Sequence, residues 1–339
     1  MIWIINIKQQ IKKLTKTWFF LLLLIILFSH FNLVAQSPVK TSFLPSVVND
    51  SINNQWHFSG KVVFVNIRDK EVKRFIVDSL IFTEGWDTLP QILFWRKMMN
   101  LSPDTSVTTI AFKRQIVDTI NAEYYDNLNK DEKTKYKDSI RKLFQLNEET
   151  KILVTSGRKD FYLVREVMPT IDTAIQIFAG MGIDPFYAQC ILLIESPDRL
   201  EHSWAGAYGP FQLMKKVGLH YGMVINKKVD ERADLYKSAK VAALYLKEIC
   251  IPEVKKTLEC WNLPYSEKDL WYRLLVLHAY HAGTENVKGV INSIEPKCGG
   301  KELIQKIWQT EYSSFKNASQ NYSQVALAAT LELYSIILQ

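Results

Sequence analysis

One acid stands apart from the other charged residues of the chain by its place in a helical pattern. Asp184-Pro185 opens a helix, with Asp as the N-cap and Pro at the first helical position. The helix reads from Phe186 to Ser196, and Pro197 stops it. Glu195 lies near its end, with Leu192, Ile191 and Ala188 at i−3, i−4 and i−7. It therefore falls on the apolar face, where an ionised carboxylate is costly. It also sits at the negative end of the helix dipole. Both effects raise a carboxyl pKa, and a carboxylic acid that stays protonated near neutral pH is what a general acid requires. Taken alone, such a glutamate also reads as one that bends to solvent or pairs with Arg199.

Two further segments change its context. Gly206-Ala207-Tyr208-Gly209-Pro210-Phe211-Gln212-Leu213-Met214 follows eleven residues on. Two glycines three apart let backbone approach a ligand closely. Gln212 offers a donor and an acceptor beside apolar Phe211 and Met214, a mix suited to an amide-bearing sugar. Later, a helix over 268–282 ends in Ala279-Tyr280-His281-Ala282-Gly283, with Gly283 as its C-terminal cap. Tyr280, in the last turn, can reach a shared cleft. Each segment by itself is also what a turn glycine, a core aromatic or a cap would look like.

In this order and spacing the segments resemble the soluble-lytic-transglycosylase-type (SLT) lysozyme-like domain, with the nearest likeness to the membrane-bound lytic transglycosylase D type. Glu195-Ser196 matches the family's catalytic Glu-Ser. Gly206 to Met214 matches its Gly-Ala-x-Gly-Leu-Met-Gln-x-Met segment. Val229 to Asp234, leading into Ala242-Ala243-Leu244-Tyr245-Leu246, resembles its Asp-x-Arg-x-Asp segment and following helix. Ala279 to Gly283 matches Ala-Tyr-Asn-Ala-Gly. The likeness covers about 160–335. It implies cleavage of the β-1,4 bond between N-acetylmuramic acid and N-acetylglucosamine, with Glu195 as the single acid and base and a 1,6-anhydromuramoyl product. Substrate assistance by the N-acetyl group replaces the second carboxylate that most glycosidases need. Ser203, Gln212, Met214 and Tyr280 match family cleft residues, and Tyr322 matches a second cleft tyrosine in weaker register.

The chain departs from the family pattern at several points. Lys215 follows Met214 where proline is usual, Pro210-Phe211 replaces Leu-Met, His281 replaces Asn, and Pro197-Asp198 follows Glu195-Ser196. Two other readings stay open. One is a goose-type-lysozyme-like hydrolase, with Asp198, Glu201, Asp230 or Asp234 as helper acid. The other is a non-catalytic module that grips glycan strands.

The elements that must position these residues belong to a chain of 339 residues, 47% apolar and 23% charged, which is a globular composition. Its length suggests about two domains. The net charge is +7, but Lys8, Lys12, Lys13 and Lys16 lie in an acid-free stretch, 1–35. Without it the chain carries 38 basic and 35 acidic residues, which excludes a nucleic-acid stripe. Those lysines, an apolar run from Trp18 to Phe28 and the exit Val34-Ala35-Gln36-Ser37 read as a signal peptide cleaved after Ala35. An uncleaved anchor is the alternative. No cysteine precedes Cys190, so a lipid-modified cysteine after the signal is excluded. Export permits one disulfide among Cys250, Cys260 and Cys298, while Cys190 reads as a buried thiol.

The expected fold is mainly α: a signal over 1–35, a linker over 36–55, a mostly helical region over 56–155 and a lysozyme-like catalytic domain over 156–339. Residues 56–67, with Lys61 to Ile67, read as one short strand. Val72, Phe75, Ile76, Ser79 and Leu80 fall on a helical stripe, as do Val107, Ile110, Ile116 and Ile120. A charged helix over 131–144 turns Tyr136, Ile140 and Phe144 inward. The expected partners are peptidoglycan glycan strands, with envelope proteins a further possibility through 56–155. No metal or organic cofactor is implied, and the target compartment is the periplasm.

Overall fold

The computed structural model describes residues 58–338, apart from 69–70, 112, 159–161, 196–202 and 204. The expected signal and linker lie outside the described residues. The fold is mainly α, with the helices of a lysozyme-like domain following a smaller mixed region.

The smaller region opens with a hairpin, β1 (Lys61–Arg68) and β2 (Glu71–Val77), followed by α1 (Leu80–Thr83) and α2 (Pro90–Met99). Next come β3 (Thr105–Ile110), β4 (Gln115–Asn121), α3 (Ala122–Asn127), α4 (Lys130–Leu143) and β5 (Ile152–Ser156). The last three strands form an antiparallel sheet in the order β4-β3-β5. The remainder is helical: α5 (Val164–Gly180), α6 (Pro185–Glu195), α7 (Lys215–His220), α8 (Leu235–Tyr245), α9 (Ile251–Cys260), α10 (Leu270–Ala282), α11 (Thr284–Ile294), α12 (Lys301–Ile307) and α13 (Asn317–Ile337). A two-residue ribbon pairs β6 (Ala207–Tyr208) with β7 (Leu213–Met214).

Helix α6 is the centre of this arrangement. Every residue from Pro185 to Leu193 is buried, as expected of a helix that is apolar all round. It packs against α5, α13 and β2. Its start is capped as the sequence suggests, with the Phe186 N–H donating to Asp184 Oδ1 at 2.9 Å.

The β1–β2 hairpin shares one apolar core with the helical domain. Val65, Phe75, Ile76, Ile81, Trp86 and Ile92 belong to the same buried cluster as α5, α6, α10 and α13. Three polar ties fix it there. The buried Gln189 of α6 accepts from the Ile76 N–H and donates to the Ile76 carbonyl, both at 2.8 Å. It thus stands in for a neighbouring strand. The Arg74 guanidinium pairs with Asp172 of α5 at 2.6 Å. Asp78 pairs with Arg273 of α10, both fully buried, and the Asp78 N–H donates to Tyr334 Oη of α13 at 2.8 Å. A buried pair of this kind specifies position more than it adds stability, because desolvation offsets most of its Coulomb attraction.

Several local expectations are corrected. Residues 61–156 are an even mixture of strands and helices, not mostly helical. The stripe at 72–80 is β2 and the start of α1, and the stripe at 107–120 is β3 and β4. Both strands are buried on more than one face: Phe75 and Ile76 are adjacent and buried, and Ser106 to Ile110 are all buried. Without period-two alternation, short apolar runs fit either template. On α4, Ile140 is buried, whereas Phe144 lies just past the helix end and is exposed. The four cysteines are free thiols: Cys190 and Cys250 are buried, and Cys260 and Cys298 are exposed.

Candidate active site

Glu195 is the last residue of α6 and opens into a cleft of about 450 Å³. Ser203, Gln212, Met214 and Tyr280 line the same cleft. Tyr322 reaches the acid from α13, its hydroxyl donating to Glu195 Oε1 at 3.1 Å. The six residues singled out in the sequence therefore converge, though 127 positions separate Glu195 from Tyr322. Burial pushes the Glu195 carboxyl up to about 7, and the Tyr322 hydrogen bond opposes that shift in part. At neutral pH the group is poised between its acid and base forms, the condition for one residue to serve as both.

The ribbon wall is held in a strained conformation. Gln212 has φ +45°, a left-handed value that a side chain with a Cβ seldom takes. Strain of this kind persists only where the surroundings enforce it. Here they do. The Gln212 N–H and Nε2 both donate to the Gly209 carbonyl, at 2.9 and 3.1 Å. Gly209 itself has φ +83°, and a Cβ there would fall 1.8 Å from the Arg232 carbonyl. Buried Arg232 donates to the carbonyls of Gly206 and Leu213, at 3.0 and 2.9 Å, so one guanidinium closes both ends of the loop. Asp230 grips that guanidinium at 2.7 Å. Asp234 caps α8 by accepting from the Lys237 N–H. Both acids thus have structural duties, and neither is among the described residues that line the cleft. Asp198 and Glu201 lie outside the described residues.

Opposite the ribbon, Tyr280 donates to the Phe211 carbonyl at 2.6 Å, bracing the loop from α10. Ser203 accepts from the Ala207 N–H at 2.9 Å, which leaves its hydroxyl proton to be donated toward the cleft. His281 stacks on Tyr322, ring centroids 4.2 Å apart. A second bond fixes α13 beside it. Trp308 donates to Ser323 Oγ at 2.8 Å, and that hydroxyl is 2.8 Å from Nε2 of buried His278.

Three polar cleft residues were not singled out from the sequence. Lys216 and Ser314 gave no signal. Tyr245, whose ring lies 5.8 Å from that of Tyr280, was visible within Ala242–Leu246 but had no assigned role. It immediately precedes a single π-helical turn, Leu246–Cys250, a distortion common near functional sites. Among the described residues no group of His, Cys, Asp or Glu could hold a metal ion.

No curated protein matches the chain. A family model does: residues 176–297, from within α5 to just past α11, match the Transglycosylase SLT domain, a stretch that contains Glu195, the ribbon and Tyr280 and ends before Tyr322.

Proposed function

We propose that the protein is a peptidoglycan lytic transglycosylase that cleaves the β-1,4 bond between N-acetylmuramic acid and N-acetylglucosamine. The observation that carries this reading is Glu195, a carboxyl raised to about 7 and the only carboxyl among the described cleft-lining residues. One acid suits a substrate-assisted route. Glu195 gives its proton to the glycosidic oxygen as the C1–O bond breaks, and the N-acetyl oxygen bonds to C1. The resulting carboxylate then takes the proton of the muramoyl 6-hydroxyl. O6 bonds to C1 as the acetyl oxygen leaves, closing the 1,6-anhydro ring and restoring the acid. Ser203 can donate to the N-acetyl group, and Gln212, Met214 and Tyr280 form the walls that orient the sugar. Tyr322 steadies the carboxylate between its two proton transfers.

The finer likeness to the membrane-bound D type rests on the quoted motifs and belongs to the same proposal. So does location: residues 1–35 act as an export signal cleaved after Ala35, delivering the chain to the periplasm, where envelope proteins could meet the sheet β4-β3-β5. N-terminal sequencing of the native protein tests this, and a chain beginning at Gln36 is expected. Among the described residues no helix is long and apolar enough to cross a membrane.

Digestion of purified sacculi, with product ends read by mass, tests the chemistry. Anhydro ends are expected, lighter by one water than reducing ends. Reducing ends would instead make the protein a hydrolase, and no release at all would leave a glycan-binding module.

A further inference from the structure

We infer that Lys216 is a specificity residue of the cleft and binds a carboxylate of the stem peptide on the glycan strand, an inference that rests on the function proposed above. Lys216 lines the cleft beside Met214 and Val217, on the wall that continues from the ribbon into α7. It is exposed and makes no hydrogen bond or ion pair among the described residues. Several other cations of the domain are engaged: Arg232 closes the ribbon, Lys237 pairs with Glu231, Lys247 donates to the Met181 carbonyl and Lys255 pairs with Glu267; Lys216 is the cation that lines the cleft. Nor does Lys216 serve the acid. Two influences move the Glu195 carboxyl, burial and Tyr322, and the charge of Lys216 is not one of them. Glu195, raised to about 7, is only partly ionised at neutral pH, and no other acid is among the described lining residues. Apart from the titrating Glu195, Lys216 is thus the one charged side chain among the described lining residues, and its charge is positive.

A cation so placed selects for anionic ligand groups by Coulomb attraction, and it favours their approach into a low-dielectric cleft. The sugar rings of a peptide-substituted strand are neutral, and its carboxylates sit on the stem peptides. Lys216 therefore makes the cleft prefer strands that still carry free peptide carboxylates.

Binding is the readout, in the Glu195→Gln background so that strands stay intact. The probes are N-acetylated, peptide-bearing glycan strands with carboxylates either free or converted to methylamides. The parent protein should bind the free-acid strands about fivefold more tightly, the scale of a solvent-exposed ion pair. The preference should shrink at high salt. Lys216→Met keeps the aliphatic stem and should bind both strands alike, at the weaker affinity. Lys216→Glu should reverse the preference. Equal binding of both strands by the parent, or a preference that survives Lys216→Met, overturns the inference and leaves the proposed function standing. Failure of the parent to bind either strand overturns both.

Discussion

The hydroxyl of Tyr322 donates to Glu195 Oε1 across 3.1 Å, so the last helix of the chain holds the acid that ends α6. This bond lowers the Glu195 pKa while burial raises it. Tyr322→Phe removes the first effect and keeps the second. The ring still packs, so the fold should survive. The pH at which activity falls on the alkaline side should move upward, because the acid form persists to higher pH, and turnover should drop as the carboxylate loses its donor. A pH profile of sacculus digestion reads both. An unchanged alkaline limb would dissociate Tyr322 from the acid.

Glu195→Gln keeps the shape and removes the transferable proton. Activity should fall at least about a hundredfold, the usual scale for general acid–base catalysis. Stability should change in a definite direction. The folded-state pKa is about 7 against 4.5 ordinarily, so the group's contribution is fully present below about 4.5 and lost as pH rises through about 7. The variant should therefore match wild type in acid and exceed it above pH 7, by roughly 3 kcal/mol. Urea midpoints at pH 4 and pH 8 measure this.

Tyr280→Phe leaves the ring in place but strips the Phe211 carbonyl of its donor. The expected loss is about 1 kcal/mol. The ribbon should slacken, so KM should rise as well as kcat fall. Wild-type kinetics would confine Tyr280 to packing.

Gln189→Leu orphans both the N–H and the carbonyl of Ile76 inside the core. Each unsatisfied group costs about 1–3 kcal/mol, so the variant should lose several kcal/mol. For the same reason a fragment beginning at residue 160 should not fold, since it lacks Phe75, Ile76, Trp86 and Asp78. Circular dichroism of that fragment decides the point.

Helical spacing puts Glu195 among Ala188, Ile191 and Leu192, but only the segments at 206–214 and 279–283 set it apart from a glutamate that bends to solvent. Gly209 and Gln212 were legible as a motif, but the reason for them was not. That reason is a carbonyl of Arg232, more than twenty positions away, which leaves no room for a side chain at residue 209. The strands at 71–77 and 105–110 misread as helix because burial on more than one face erases alternation. Ser106 and Thr108 look like surface residues, yet they are buried and satisfied by Ser156 and Tyr136. The tie between Gln189 and Ile76 has no local signature, since a carboxamide that imitates a strand is visible only once both partners are placed.

The buried bond from Asp78 to Tyr334 spans 256 positions, and Tyr334 shares its helix with Tyr322. The end of the first hairpin is therefore tied to the same helix that gives the acid its partner. During synthesis the cleft stays unfinished until residues 317–337 can fold onto the rest. Timing is thus written into the topology: Glu195 and its hydroxyl donor are made far apart in time and are joined only when that late helix takes its place.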